Sequence, residues 1–277
     1  MKNFLCLSTL LIAACATTSD RTAGVERMYV INCGENHVKD MARWSTVDAG
    51  KSVVMRNHCY LIRHAQGWML WDSGNADRLA ALPGGQGSPI GITAYMKIPL
   101  ADSLKEIGVA PADIQRFAMS HWHPDHSGNA NLFAASTLYM QQAEYDAVFG
   151  PEAQKNNLPV ANFEKLRGAK AVKLDGDHDV FGDGSVVIKA APGHTIGHQV
   201  LFVRLAKTGP VVLSGDMVHF QANWDAKRVP KLNFNAEQSA KSMQLIEQLV
   251  AQTGAKLWIN HDPEQSKSFP LAPAYVE

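Results

Sequence analysis

Three histidines and one aspartate fall within six consecutive residues near the middle of the chain: His121, His123, Asp125 and His126. Neutral imidazoles crowded this closely would each need a partner for their ring nitrogens, and protonated imidazoles would repel one another. A divalent cation satisfies all of them through those nitrogens. The segment therefore predicts a metal site.

Four ligand groups within six residues cannot easily all reach one cation. This favours two metal positions. His121 and His123 are two residues apart, so they point to the same side of an extended backbone. Pro124 changes the chain direction and lets Asp125 and His126 reach a second position. The alternative is a surface loop with incidental histidines, which the further ligand residues downstream make the weaker interpretation.

Each of four predicted strands is followed closely by a histidine or an aspartate. The pairs are residues 115–119 with His121, 185–191 with His194, 210–213 with Asp216, and 256–259 with His261. Strand ends of a layered sheet meet at one edge. We therefore expect these side chains to gather there.

The elements that must position these residues alternate along the chain. Strands are predicted at 28–33, 53–63, 67–71, 137–140 and 198–205, and helices at 101–107, 129–133 and 143–149. A further helix begins at Asn235, with Gln238 three residues later, and ends at Gly254. This alternation predicts helices packed over a sheet. Residues 83–89 are interpreted as a loop, and the apolar continuation to residue 96 as a lid or as core packing.

The order of the metal-binding groups resembles the metallo-β-lactamase superfamily over residues 28–266, nearly the whole chain after its first segment. The motif His121-x-His123-x-Asp125-His126 is highly specific to that superfamily. The resemblance implies a single-domain α/β fold, an αββα four-layer sandwich with the metals at one edge of the paired sheets. It also implies a ligand set: His121, His123 and His194 for the first metal, Asp125, His126 and His261 for the second, and Asp216 bridging them.

Two further residues match superfamily positions beside the metals. Asp72 is interpreted as orienting a ligand histidine, with capping of a turn as the alternative, and His198 is assigned a structural role near the site. The ligand types suit two Zn²⁺ ions, although iron, cobalt and manganese also accept them. Two such ions lower the pKa of shared water to about 7, which is hydrolytic chemistry.

Several details resemble the N-acyl homoserine lactone lactonases within the superfamily: the strand that begins near Tyr29, the segments 72–74, 192–199 and 261–265, and the pair Val229-Pro230. The resemblance implies opening of a lactone ring, as in quorum quenching. Asp125 would ligate the second metal and carry a proton to the leaving oxygen. His219 stands three residues after Asp216, where those lactonases carry a tyrosine, and is expected to donate a hydrogen bond to the substrate.

Other functions share these residues. A metallo-β-lactamase, or an organophosphate or aryl-ester hydrolase of the same fold, would have the same metals. A lipoprotein that binds metal without turnover is the non-enzymatic alternative. For His219, packing beside the site is the alternative to a catalytic role. Trp122, Met217, Phe220 and Trp224 flank these groups and would line an acyl pocket or belong to the core.

The first residues indicate export. Lys2 precedes an apolar run over residues 4–16, which is shorter than the roughly 20 residues that span a bilayer. We interpret 1–16 as a signal peptide of lipoprotein type, with Cys15 as the lipidation site and cleavage after Ala16 as the alternative. Residues 17–26 would be a tether and 27–277 the hydrolase domain. The predicted location is the periplasm, or the membrane surface through a lipid anchor.

Composition narrows the partner. Lys and Arg number 26 and Asp and Glu 26 in a chain of 277 residues, so the protein has no excess positive charge to attract nucleic acid or an anionic membrane. A small-molecule substrate is therefore expected. Cys33 and Cys59 lie in predicted strands and would form a disulfide in an exported protein or remain buried thiols.

Overall fold

The computed structural model describes residues 24–151, 153, 158 and 160–277, which leaves the predicted signal peptide outside the described residues. This part of the chain forms thirteen strands and six α-helices. The strands are β1 Val25–Val38, β2 Val53–His64, β3 Gly67–Trp71, β4 Gln86–Gly87, β5 Ile92–Tyr95, β6 Ile114–Ala118, β7 Thr137–Gln141, β8 Ala171–Leu174, β9 His178–Asp179, β10 Val186–Ala190, β11 Gln199–Leu205, β12 Gly209–Leu213 and β13 Lys256–Trp258. The helices are α1 Leu100–Ile107, α2 Pro124–Ser127, α3 Gln142–Phe149, α4 Gln221–Asp225, α5 Ala236–Thr253 and α6 Pro263–Ser266.

Alternation of apolar side chains along the strands creates three hydrophobic layers. In β1, Val30 packs into a cluster shared with β10 to β13, whereas the next residue, Ile31, packs against α1 and α3. In β11, Leu201 belongs to the inner cluster and Val200 packs against α5. Two sheet layers between two helical layers follow from this arrangement. The predicted αββα sandwich is confirmed.

The strand order is β13-β12-β11-β1-β2-β3-β6-β7-β8. The two sheet halves meet where Val25 of β1 pairs with Leu205 of β11. Strands β3, β6, β7 and β8 are parallel, as are β12 and β13. The carboxyl ends of β3, β6, β12 and β13 therefore bring Asp72 and the ligand segments to one edge of the sandwich.

The predicted helix ends agree with the observed ones. The side chain of Asn235 accepts a hydrogen bond from the backbone N–H of Gln238 at 3.1 Å, and Gly254 ends α5 with a φ of 67°. Gly108 ends α1 with a φ of 80°. These are positions where an N-cap side chain and a left-handed residue satisfy backbone groups that the helix leaves unpaired.

Two local predictions need correction, and one strand carried no prediction. Residues 83–89, predicted as a loop, contain the short strand β4, and the apolar continuation to residue 96 contains β5, which pairs with β1 and β4. Segment 129–133 is a 3₁₀ turn over Ala130–Phe133 rather than an α-helix. Strand β8 carried no sequence prediction, since its four residues are too few for a periodic signal.

Cys33 and Cys59 are bonded to each other with an S–S distance of 2.04 Å, so the disulfide alternative is the one found. The bond joins the neighbouring strands β1 and β2. Among the helices of the described residues, none is both long and apolar enough to cross a membrane.

Candidate metal centre

Three histidines form a first ligand group. Nδ1 of His123 lies 2.8 Å from Nε2 of His121 and 3.0 Å from Nε2 of His194. The three rings come from the β6 end and from the segment after β10. Their nitrogens converge on one point at the sheet edge.

A second ligand group lies beside the first. Nε2 of His126 is 3.4 Å from Nε2 of His261, which is itself 3.6 Å from Oδ2 of Asp125. Helix α2 supplies two of these residues in a single turn that begins at Pro124. The predicted change of direction at Pro124 is the start of this helix, because proline fits the first helical position, and it places Asp125 and His126 in the second group.

Asp216 stands between the two groups, with one oxygen for each. Oδ2 lies 3.3 Å from Nε2 of His194 and 3.8 Å from Nε2 of His121. Oδ1 lies 3.0 Å from Nε2 of His126 and 2.9 Å from Nε2 of His261. A carboxylate placed in this way has one oxygen available to a cation on each side.

The segment that carries Asp216 is tightly fitted. Gly215 has a φ of 49°, and a Cβ at this position would lie 2.7 Å from Nε2 of His198 and from Cβ of Ser120. His198 accepts a hydrogen bond from the backbone N–H of Asp216 at 3.0 Å and donates one to the carbonyl of Ala191 at 3.1 Å. His198 thus fixes the backbone of the bridging residue.

The outer nitrogens of three candidate ligand histidines are hydrogen-bonded, which sets the direction of their lone pairs. Nδ1 of His121 lies 3.1 Å from the Ser120 hydroxyl. Nδ1 of His126 donates to Oδ2 of Asp72 at 2.9 Å, and Nδ1 of His261 donates to the carbonyl of Arg56 at 2.8 Å. Asp72 also accepts from the backbone N–H of Ser120 at 2.6 Å. Each Nε2 therefore presents a lone pair toward the centre, as metal ligation requires.

Burial and neighbouring charges prepare these groups for a cation. Burial lowers the pKa of His123 to about 4 and holds the pKa of His121 and His194 well below the ordinary value, so these rings are neutral. Burial also opposes charge on His126, but the carboxylates around it, Asp216 first, raise its pKa well above the ordinary value. The surrounding histidines outweigh burial at Asp216 and hold its pKa well below the usual range.

The donor set fits two divalent cations. Buried ring nitrogens that face one another at 2.8 to 3.4 Å bring lone pairs together, which is unfavourable unless a cation or a proton lies between them. When Asp216 is counted with the first group, each group combines imidazole nitrogen with carboxylate oxygen, and the ligand atoms within each group lie within 4.8 Å of one another. The seven predicted ligands all belong to these groups.

His219 contacts Asp216. Its Nε2 is 3.1 Å from Oδ2 of Asp216, and its ring stacks on that of His261 with a centroid distance of 5.5 Å. The side chain is buried, and it does not line either of the two cavities beside the centre.

Two residues near the centre carried no sequence prediction. Nδ2 of Asn36 donates a hydrogen bond to Oδ2 of Asp125 at 2.8 Å. Glu144 on α3 is 1% exposed and accepts hydrogen bonds from the segments on both sides of the first ligand group. The only signal for Glu144 in the sequence is its spacing of four residues from the buried Val148, which places both on one helix face.

Two cavities adjoin the centre and share Trp122, His123 and Leu232 as walls. The first, of about 400 Å³, reaches Asp125, Asp216 and His261. Its remaining walls are mostly apolar and include Trp44, Met55, Leu79, Ile90, Ile92 and Ala94. The second, of about 590 Å³, lies against His194 and α3. Of the four apolar residues considered for an acyl pocket, Trp122 lines both cavities, whereas Met217, Phe220 and Trp224 pack in the core.

The family model of the metallo-beta-lactamase superfamily matches residues 53–256. The chain belongs to this superfamily. Its fold and its dinuclear histidine and aspartate site are those of a superfamily hydrolase.

Similar proteins from this superfamily cover most of the chain. The N-acyl homoserine lactonase AttM of Azorhizobium caulinodans is 30% identical, over 79% of this chain and 86% of that protein. The N-acyl homoserine lactonase AiiA of Bacillus thuringiensis subsp. kurstaki is 27% identical, over 91% of this chain and 99% of its own. A solved N-acyl homoserine lactone hydrolase, with the product N-hexanoyl-L-homoserine at its catalytic metal centre, superimposes with a TM-score of 0.80 at 25% identity, covering 91% of this chain and 100% of that one.

Proposed function

We propose that this superfamily hydrolase opens the ring of N-acyl homoserine lactones. The observation that carries the proposal is the cavity of about 400 Å³ that ends at Asp125, Asp216 and His261 and has mostly apolar walls elsewhere. An acyl lactone has the same division into a polar head and an apolar tail. The names of the similar proteins from Azorhizobium and Bacillus support the same substrate class.

We assign the metal ligands as the sequence predicted, and we propose zinc as the metal. His121, His123 and His194 would hold one ion, and Asp125, His126 and His261 the other, with one oxygen of Asp216 on each. Imidazole nitrogen and carboxylate oxygen are common zinc ligands. When bound, two such ions polarise a carbonyl and make water a nucleophile near neutral pH.

The chain's own groups would complete the reaction. Asp125 borders the cavity, and Asn36 holds its Oδ2, so its carboxylate is placed to take a proton from the nucleophile and return it to the leaving ring oxygen. The apolar walls would hold the acyl chain and exclude water from it. His219 is proposed as the second catalytic residue. Donation of a hydrogen bond to the substrate would require its ring, which lies against Asp216 and outside the cavity walls, to reach the cavity.

The test is a hydrolysis panel with metal-quantified protein. It compares N-acyl homoserine lactones of short and long chain with a β-lactam, an aryl ester and a phosphotriester. Lactone turnover at least tenfold above the other classes is expected, together with loss on chelation and recovery when Zn²⁺ is returned. Turnover of the β-lactam or the phosphotriester without lactone hydrolysis would contradict the substrate assignment, and no turnover of any class would favour a metal-binding protein without activity.

We also propose that the protein is exported by a signal peptide within residues 1–16 that is cleaved before Cys15, which becomes the lipidated first residue. The Cys33–Cys59 disulfide supports an oxidising compartment. Intact-mass measurement on protein from the membrane fraction tests the proposal. A mature chain that starts after Ala16 without lipid would contradict the anchor but not the export.

A further inference from the structure

Glu144 is a buried carboxylate outside the ligand set. It lies in the first turn of α3, and its side chain meets only hydrogen-bond donors. Oε1 accepts from the backbone N–H of Trp122 at 3.1 Å and from the hydroxyl of Thr195 at 2.9 Å. Oε2 accepts from the backbone N–H of Gly197 at 2.8 Å.

The three donors belong to the two segments that carry the first ligand group. Trp122 lies between His121 and His123, and Thr195 directly follows His194. These segments are far apart in sequence. One carboxylate therefore fixes their distance from each other.

The approach of the second segment to Glu144 is as close as the chain permits. A Cβ on Gly197 would lie 2.6 Å from Cβ and from the backbone nitrogen of Glu144. Only a glycine allows the Gly197 N–H to reach the carboxylate at this distance. The hydrogen bonds and the glycine are independent indications that this contact is built into the fold.

Within the first ligand group, the His121 ring is held by the Ser120 hydroxyl, 3.1 Å from its Nδ1, whereas the direction of the His194 ring depends on backbone placement. Among the described residues, Nδ1 of His194 has no hydrogen-bond partner that would fix the ring. The direction of its Nε2 therefore follows from where its segment lies. Glu144 holds that segment from one side, and the start of α5 holds it from the other, through the hydrogen bond from Phe234 N–H to the His194 carbonyl at 3.1 Å.

We propose that Glu144 is a positioning residue for the first metal, acting through the backbone around His123 and His194 and not through contact with metal or substrate. The inference rests on the metal centre of the proposed hydrolase but not on its substrate. It predicts a site-selective effect: removal of the carboxylate weakens the first metal and leaves the second in place.

Glu144→Gln is the sharpest variant because it keeps the volume and removes one acceptor oxygen. A glutamine has a single oxygen for three donors, so at least one buried donor must face its NH₂ group without an acceptor. Changes of this kind around metal ligands lower metal affinity by about 10 to 100-fold. We expect a loss of this size at the first metal only.

Asp179→Asn is the matched control. Asp179 also accepts three backbone hydrogen bonds, from the N–H groups of Phe181, Gly182 and Gly184 at 3.3, 2.9 and 2.7 Å. Those partners lie in the turn between β9 and β10, and none flanks a metal ligand. If loss of a hydrogen-bonded carboxylate only destabilises the protein, Asp179→Asn should have the same effect as Glu144→Gln. Selective loss of the first metal is expected in Glu144→Gln alone.

The measurement is a Co²⁺ titration of the purified protein after its metal has been removed. Binding is followed by visible absorption. His194→Ala and His261→Ala assign the bands of the first and second ion. The proposal predicts a 10 to 100-fold weaker first site in Glu144→Gln, an unchanged second site, and wild-type behaviour in Asp179→Asn. Equal weakening of both sites, or no change in either, would overturn it. Since lactone hydrolysis is not the readout, a wrong substrate assignment leaves this result intact.

Thr195→Val provides a milder variant in case Glu144→Gln does not fold. It removes one donor and keeps the shape of the side chain, so several-fold weakening of the first site is expected. Unchanged Co²⁺ binding at both sites in a folded Thr195→Val protein, together with failure of Glu144→Gln to fold, would assign Glu144 to stability alone.

Discussion

The two ligand groups are held by different kinds of contact. In the second group, His126 and His261 are each hydrogen-bonded through the nitrogen that faces away from the centre, to Asp72 and to the carbonyl of Arg56. In the first group, Nδ1 of His121 lies 3.1 Å from the Ser120 hydroxyl, and Glu144 bonds to the segments around His123 and His194. The second site is thus oriented through its rings, whereas His194 of the first site is oriented by the position of its backbone. Substitutions that separate these two mechanisms are the most informative.

Asp216→Ala should have the largest effect because Asp216 is the only ligand with an oxygen toward each group. We expect both metals to be lost and lactone hydrolysis to fall by more than about 100-fold, beyond the loss caused by residues outside the ligand set. Metal analysis per chain and hydrolysis rates check this. Full retention of one metal with unchanged activity would contradict the bridging assignment.

His219→Ala should have the next largest effect. It distinguishes a direct role of His219 on the substrate from a role in orienting Asp216. Loss of a donor that acts directly on the substrate lowers turnover by about 10²–10³ at saturating metal, and His219→Tyr should then keep substantial activity. Loss of a group that only orients Asp216 would appear as weaker metal binding with normal turnover once metal is restored. Unchanged kinetics and metal binding would leave His219 as core packing.

Asp72→Asn tests the second ligand group in the way that Glu144→Gln tests the first. Asp72 also meets three donors, from the Ser120 N–H, the Ser120 hydroxyl and Nδ1 of His126. Because Asp72 contacts the His126 ring directly and reaches the first group only through Ser120, the second metal should weaken by about 10 to 100-fold and the first by less. Co²⁺ absorption bands measure both. Selective loss of the first metal would reverse the comparison.

The ligand set was open to prediction because the signal is local. His121, His123, Asp125 and His126 lie in one segment, and the other ligands follow apolar strands whose ends meet at one sheet edge. The four layers follow from the same alternation of apolar residues. Both depend on short-range patterns that a sequence carries directly.

Glu144 escaped prediction because its role depends on distant segments. Its partners lie 22 to 53 residues away, and within its own helix the only signal is the spacing of four residues from Val148, which does not identify those partners. Asn36 has the same character, since it reaches Asp125 across 89 residues. Burial of such polar groups is set by tertiary packing. The spacing of apolar residues along the sequence does not predict it.

The last predicted effect is a pH dependence of stability carried by Glu144. Burial raises its pKa from 4.5 to about 7, although its three hydrogen bonds act in the opposite direction. The folded state then binds a proton more tightly than the unfolded state between these values. The contribution to stability is therefore complete below about pH 4.5 and is lost as the pH rises through about 7.

Glutamine does not titrate, so Glu144→Gln removes the pH-dependent contribution of residue 144 to stability. All other titratable groups are present in both proteins, and their contributions cancel in the difference. The free energy of unfolding of wild type minus that of Glu144→Gln should fall as the pH rises from 4.5 to 7, by up to about 3 kcal/mol at roughly 1.4 kcal/mol per pKa unit. Denaturant titrations of the two metal-free proteins at several pH values measure the difference. A difference that stays constant or grows with pH would mean that the three donors outweigh burial and keep Glu144 ionised throughout.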